Sequence, residues 1–185
     1  MIFEPFRPRV PDTPAFESGE SSEAQVDFVS RLTWSAERPS ALVIACSDGR
    51  MRAHLDDFLN NHLGINAYDR LYLPGGPGGL ASGAAEFSRA AQMVSECRFL
   101  LKSHGTGEVI LIFHGAAPDG PDEAVCADYI RKHSYRNRVQ EMQETDLKEL
   151  LRTAFAGPGA PRVRAFRADV TAGGEVRFTR LDCGR

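Results

Sequence analysis

The sequence predicts an α/β fold in which a mainly parallel central sheet is flanked by helices. Short, continuous apolar runs such as ALVIAC and VILIF are typical of strands that are buried on both faces. Segments with helical periodicity separate these runs, so strands and helices alternate along the chain. The 185 residues are enough for one domain with a sizeable core.

The amino-terminal end differs in character from the rest. Residues 1–22 contain four prolines and part of the polar run ESGESSE, which disfavour regular structure and predict an extended arm. Residues 23–185 are predicted to form a single domain. A first helix is expected over 21–37, because Ser21 or Ser22 can cap it and apolar residues follow at helical spacing.

The remaining elements follow in alternating order. Gly64 is a natural stop for an amphipathic helix, and the TAGG turn separates two strands near the carboxyl terminus. The predicted strands cover 40–47, 68–76, 108–115, 161–170 and 175–182, and the predicted helices cover 51–64, 81–105, 121–134 and 139–155.

Charge and composition exclude several classes of protein. The net charge of −3 and the pI near 6.0 argue against bulk electrostatic binding to nucleic acid or to an anionic membrane. No apolar run approaches the ~20 residues of a membrane helix, and the proline-broken start does not resemble a signal peptide. None of the four cysteines forms a CxxC pair, which argues against a zinc finger or a thioredoxin motif. We therefore expect a cytoplasmic protein with reduced thiols.

Two of the predicted strands deliver a metal-ligand type at their carboxyl ends. Cys46 ends one apolar run and His114 ends another. In parallel sheets these ends meet where the strand order switches, so the two side chains can converge. Zinc takes cysteine sulfur and histidine nitrogen, and a catalytic zinc site keeps one position for water. Asp48 can reach such a metal or its water. Alternatively, Asp48 pairs with Arg50, as a gate on the metal or as a structural ion pair at a helix start.

These residues resemble the beta-class carbonic anhydrases. CSDGR followed by a helix, a glycine-rich stretch after the second strand and a histidine after the third strand carry the resemblance, which covers roughly residues 40–180. It implies zinc bound through Cys, His and Cys, hydration of carbon dioxide, and a dimer in which amino-terminal helices wrap the partner. By position, Cys46 and His114 match the zinc ligands, and Asp48 and Arg50 match the catalytic dyad.

The sequence departs from that family at the third ligand. The family's His-x-x-Cys is here His114-Gly-Ala-Ala117, and alanine cannot bind a metal. Asp48 is the leading substitute. Asp119 and Asp122 lie in the following loop, and Cys126 would need a changed loop path. Because the third thiolate is missing in this interpretation, Ala117→Cys is expected to raise zinc affinity.

A second departure lies in the glycine-rich stretch. The polar Arg-Asn-Ala-Gly of the family is here Leu73-Pro-Gly-Gly76. Gly75 and Gly76 can present backbone N–H groups to an anion ahead of a helix. The alternative is a turn that only lets chain segments approach closely.

The sequence leaves three functions open. The first is a divergent zinc-dependent lyase that hydrates carbon dioxide or a related small electrophile, as a homodimer that binds a small-molecule substrate or anion. The second is a non-catalytic carbonic-anhydrase-fold protein with a degenerate metal site and a binding or regulatory role. The third is metal-free chemistry with Cys46 as nucleophile.

Overall fold

The computed structural model describes residues 26–84, 87–132 and 135–184, in a chain that divides into two units, Met1–Ser35 and Ala36–Arg185. The helix predicted over 21–37 is absent from residues 26–37, which contain neither helix nor strand. A short helix is marginal in water unless it buries an apolar face, and the large apolar side chains of 26–34 are exposed. The predicted arm over 1–22, and the predicted domain boundary after it, lie outside the described residues.

A five-stranded sheet organises the second unit, and its strands alternate with helices as the sequence predicts. The strand order is β2-β1-β3-β4-β5, and every pairing is parallel except the last, in which β5 runs antiparallel to β4. The predicted α/β class with a mainly parallel sheet is therefore confirmed. The strands are β1 Ala41–Cys46, β2 Tyr68–Leu73, β3 Glu108–Ala116, β4 Arg162–Val170 and β5 Val176–Leu181.

Four α-helices accompany the sheet in the described ranges. The first continues into a π-helical turn at Phe58–His62, and the chain then reverses at Gly64, whose φ is +69°. The third is much shorter than the helix predicted over 121–134, because Pro121, Val125 and Cys126 all have extended backbones. The helices are α1 Arg52–Asp57, α2 Phe87–His104, α3 Ala127–Arg131 and α4 Val139–Arg152. No helix within 26–84, 87–132 or 135–184 is long and apolar enough to cross a membrane.

The core lies on both faces of the sheet, which explains the continuous apolar runs of β1 and β3. Alternate residues of each strand face opposite layers. On one face, Leu42, Ile44 and Leu111 pack with residues of α3 and α4 such as Tyr129 and Leu150. The other face packs against the first helix, and its residues include Val43, Ile110, Leu55, Leu59 and Phe166.

The strand order places a switch point beside β1. The chain leaves β1 on one side to form β2 and later forms β3 on the other side. In open α/β sheets this is where ligands bind, beyond the carboxyl ends of the strands. Cys46 is the last residue of β1 and His114 lies near the end of β3.

Candidate metal centre

Three side chains offer metal ligands at this switch point. The ligand atoms of Cys46, His114 and Cys126 all lie within 4.8 Å of one another. The Cys46 and Cys126 Sγ atoms are 4.0 Å apart, close to the ~3.8 Å that two zinc–sulfur bonds of about 2.3 Å span in tetrahedral geometry. Two thiols and one imidazole are a preferred zinc ligand set that leaves a fourth position open. The cluster therefore fits a metal ion.

The imidazole of His114 supports this interpretation independently. His114 is only 5% exposed, and its buried Nε2 has no hydrogen-bond partner among the residues that the structure describes. Buried polar atoms normally have a partner, so an orphaned one needs an explanation. A metal held between His114 and the two thiols would supply it.

The pKa values of the Cys46 and Cys126 thiols are shifted in opposite directions. The Cys126 thiol donates a hydrogen bond to Cys46 and thereby lowers the pKa of Cys46; the neighbouring His114 ring and the Asp48 backbone N–H lower it further, against the effect of burial. Donation to Cys46, together with burial, raises the pKa of Cys126. A hydrogen bond between the two sulfur atoms requires a proton on one of them. Because metal ligation needs both thiolates, binding would release that proton.

Asp48 lies two residues after Cys46 along the chain, and its carboxylate is paired with Arg50. The Arg50 Nη2 donates to Asp48 Oδ2 at 2.6 Å and its Nε to Oδ1 at 3.0 Å, in a forked pair. The Asp48 side chain also caps the short helical turn Gly49–Met51 by accepting from the Arg50 backbone N–H. These contacts lower the pKa of Asp48 to about 2. Asp48 is not grouped with the clustered ligand atoms, so its assignment as a ligand stays a prediction.

The path of the loop between His114 and Cys126 brings Cys126 close to Cys46. The Ala117 backbone N–H donates to the Val170 carbonyl at 2.9 Å, which holds the loop against β4. The Arg136 guanidinium then contacts the Asp122 carboxylate and the Gly120 carbonyl. This path returns the chain to the sheet at Cys126, directly before α3. Asp119 and Asp122 are exposed on the loop, away from the cluster.

The glycine-rich turn approaches acidic side chains. A side chain at Gly75, whose φ is +83°, would collide with the Asp128 carboxylate. A Cβ at Gly76 would stand 2.9 Å from the Cys46 backbone nitrogen. The turn thus needs glycine for close approach to β1 and to the segment after Cys126. The prediction that Gly75 and Gly76 bind an anion remains untested.

A pocket of about 320 Å³ opens beside the cluster. Leu55 contributes an apolar side chain to its lining, and Arg52, Arg70 and Tyr72 contribute polar or basic ones. The Tyr72 hydroxyl is buried and has no hydrogen-bond partner in the described part of the chain. Arg52, Arg70 and Tyr72 lie in none of the motifs that predicted the site. The lining of this pocket also includes Cys46, Ser47, Asp48 and Gly49.

The structure reverses the expectation for Ala117→Cys. Ala117 lines a different pocket and is held to β4 through its backbone, while Cys126 already stands beside Cys46. We expect the zinc affinity of Ala117→Cys to equal that of the wild type. Competition with a chromogenic chelator measures it. A clear rise in affinity would mean that position 117, and not 126, completes the site.

Comparison with known proteins gives one consistent likeness. No family model and no curated protein matches the chain. Among solved structures it is similar to beta-carbonic anhydrases from Trichomonas vaginalis (12% identity, 80% of this chain, 86% of that chain) and Sordaria macrospora, described as tetrameric (16%, 80%, 83%), and to a carbonic anhydrase from Streptococcus mutans (15%, 78%, 84%), each with a TM-score of 0.44. Two of these three are described as members of the class that the CSDGR motif resembles. At these TM-scores the likeness assigns no activity to this chain.

Proposed function

We propose that this protein is a zinc-dependent lyase of carbonic-anhydrase type, with Cys46, His114 and Cys126 as the protein ligands. The observation that supports the proposal is the cluster itself, in which two thiols 4.0 Å apart lie beside a buried imidazole. The Nε2 atom of that imidazole has no hydrogen-bond partner within residues 26–84, 87–132 and 135–184. The substrate is carbon dioxide or a related small electrophile. Zinc, when bound, would lower the pKa of a water molecule to about 7 and so supply a nucleophile at neutral pH.

Asp48 would orient the attacking water, and Arg50 would hold Asp48 in place. With its pKa near 2, Asp48 is ionised at neutral pH, so its carboxylate can accept a hydrogen bond from the attacking water and fix its direction. Arg50 holds the carboxylate in a fork, which opposes its rotation toward a cation. In this arrangement Asp48 is a catalytic residue, and Arg50 positions it.

The neighbouring pocket suits the charge change of hydration. The apolar side chain of Leu55 suits a neutral electrophile such as carbon dioxide. The product of its hydration, bicarbonate, is an anion. Arg52 and Arg70 line the same pocket and favour that anion electrostatically. Arg70 also contacts Asp56 at 3.0 Å, which fixes its position while leaving it 47% exposed.

Replacing Asp48 by asparagine should separate metal binding from catalysis. We expect zinc to be retained and the hydration rate to fall by roughly 10²-fold, the loss that misplacing a reacting group by about 1 Å can cause. Elemental analysis and stopped-flow hydration assays measure the two effects. Loss of the metal from this variant would instead favour Asp48 as a ligand.

The same variant has a small stability effect with a defined pH dependence. The ion pair is largely exposed at Arg50, so its loss should cost less than about 1 kcal/mol. Because folding depresses the pKa of Asp48 from 3.8 to about 2, this stability is present above pH 4 and is lost as the pH falls toward 2. Urea unfolding of both proteins should therefore give a difference that shrinks below pH 4. A constant difference across that range would contradict this account.

The direct test of the proposed function is carbon dioxide hydration by the purified full chain. We expect about one zinc per chain, and activity that Cys46→Ser abolishes together with the metal. Metal without activity would favour the alternative, a non-catalytic carbonic-anhydrase-fold protein. The apolar Leu73–Gly76 stretch, where the resembled family carries polar groups, supports that alternative. Absence of metal even after zinc is offered would contradict the zinc-dependent lyase. It would leave the non-catalytic protein with a degenerate metal site, or metal-free chemistry with Cys46 as the nucleophile.

We further propose that the protein acts as a cytoplasmic homodimer. Val26, Phe28, Leu32 and Trp34 are each more than 70% exposed, and large apolar surfaces of this kind commonly mark protein interfaces. Light scattering should give twice the 20.3 kDa chain mass. A monomeric mass would contradict the dimer.

A further inference from the structure

We propose a second binding site, for a small neutral molecule that carries a carboxamide group. The site is a pocket of about 580 Å³ at the carboxyl ends of β3 and β4, within the volume range of small-molecule sites. The loop after His114 forms one wall through Ala117 and Val125, and α4 and the segment before it form another through Asn137 and Gln143. This pocket contains none of the three clustered ligands.

An ion pair forms the polar part of the pocket and leaves one donor unused. The Arg167 Nε and Nη2 atoms contact the Asp169 carboxylate at 2.7–2.9 Å. Both side chains are only 12% exposed. The remaining nitrogen, Arg167 Nη1, is buried and has no hydrogen-bond partner within the described ranges. Asp169 neutralises Arg167, and the other guanidinium of the lining, that of Arg136, contacts the Asp122 carboxylate. The unused donor is therefore not accompanied by an unpaired positive charge.

Gln143 provides the complementary acceptor. Its side chain is 1% exposed, and its Nε2 donates to the His114 carbonyl at 2.9 Å. Since a carbonyl can only accept, that bond fixes the orientation of the amide. Gln143 Oε1 is then a buried acceptor, and it has no partner in the part of the chain that the structure describes.

The two orphaned atoms define the ligand chemistry. A group that accepts from Arg167 and donates to Gln143 satisfies both, and a carboxamide does so through its carbonyl and its NH₂. A carboxylate lacks the donor and would face the Gln143 oxygen, whereas a ketone offers only the acceptor. The lining also includes alanine, proline and valine side chains, which suit an apolar body on the ligand, and the polar side chains of Arg136 and Gln140. Because neither atom contacts solvent, the Arg167 guanidinium or the Gln143 amide must rotate slightly to form its hydrogen bond with the ligand.

Calorimetric titration of the full chain with three probes of similar shape tests this chemistry. The probes are benzamide, benzoate and acetophenone. We expect benzamide to bind roughly tenfold or more tightly than either of the others, because each of those leaves a buried polar atom unpaired. Equal affinities, or no binding of benzamide at millimolar concentration, would overturn the proposal.

Two variants and one spectroscopic measurement locate the site. Ala117→Phe should abolish benzamide binding by filling the pocket, whereas Ala91→Phe, at an exposed position of α2, should leave it unchanged. In the wild type, benzamide should shift the side-chain amide signals of Gln143 and Asn137 in NMR spectra, which needs no variant. Retained binding in Ala117→Phe, or unshifted amide signals, would overturn the location. Binding should also persist in Cys46→Ser, so the test does not depend on the metal centre.

Discussion

Replacing Cys126 by serine is expected to remove the metal from this protein. The substitution takes away one of two sulfur ligands and leaves only Cys46 and His114. The loss of affinity should exceed the roughly 10–100-fold that removal of an outer-shell partner costs. Elemental analysis of protein purified without chelator, followed by zinc titration against a competing chelator, measures the effect.

Two matched variants make that result specific. Cys183→Ser removes a thiol that lies outside the cluster and should leave metal content unchanged. Cys46→Ser should behave like Cys126→Ser. If Cys126→Ser retained zinc at wild-type affinity, Cys126 would be only a buried neighbour of Cys46.

Replacing Asp146 by alanine should lower the free energy of unfolding strongly. Asp146 Oδ2 accepts hydrogen bonds from the Tyr129 hydroxyl at 2.7 Å and from Lys132 Nζ at 3.0 Å. The Lys132 and Asp146 side chains are only 3% and 9% exposed. Breaking one half of a buried ion pair leaves an uncompensated charge and costs about 3–5 kcal/mol.

A second acid on the same helix provides the control. Glu141 pairs with Arg138 at 3.3 Å, but both side chains are at least 60% exposed. Glu141→Ala should therefore change the free energy of unfolding by less than about 0.5 kcal/mol. Urea denaturation of both variants measures the difference. Equal losses would show that Asp146 is effectively solvated and that its pair does not hold α3 against α4.

The sequence predicts the sheet well because its central strands, β1 and β3, are buried on both faces. Their continuous apolar runs have the length of strands and are too short for typical helices, and Gly64 and Gly105 mark the turns back to the sheet after the first two helices. The first helix was predicted wrongly over 26–37, because its periodic apolar residues form a helix only if something covers them. Periodicity describes a face, but it does not supply the surface against which that face packs.

The proposed third ligand, Cys126, shows where a local motif stops being informative. Cys46 and His114 were found because each ends an apolar run. Cys126 lies twelve residues after His114 and was considered only as a remote possibility. Its approach depends on the Ala117–Val170 hydrogen bond and on the contacts of Arg136, which are long-range contacts with no local pattern.

X-ray absorption at the zinc edge of the metal-loaded full chain tests the central claim most directly. The account predicts two sulfur ligands at about 2.3 Å and a nitrogen ligand at about 2.0–2.1 Å, with the sulfur count falling to one in Cys126→Ser. A single sulfur ligand in the wild type, unchanged by that substitution, would contradict a centre built from Cys46, His114 and Cys126.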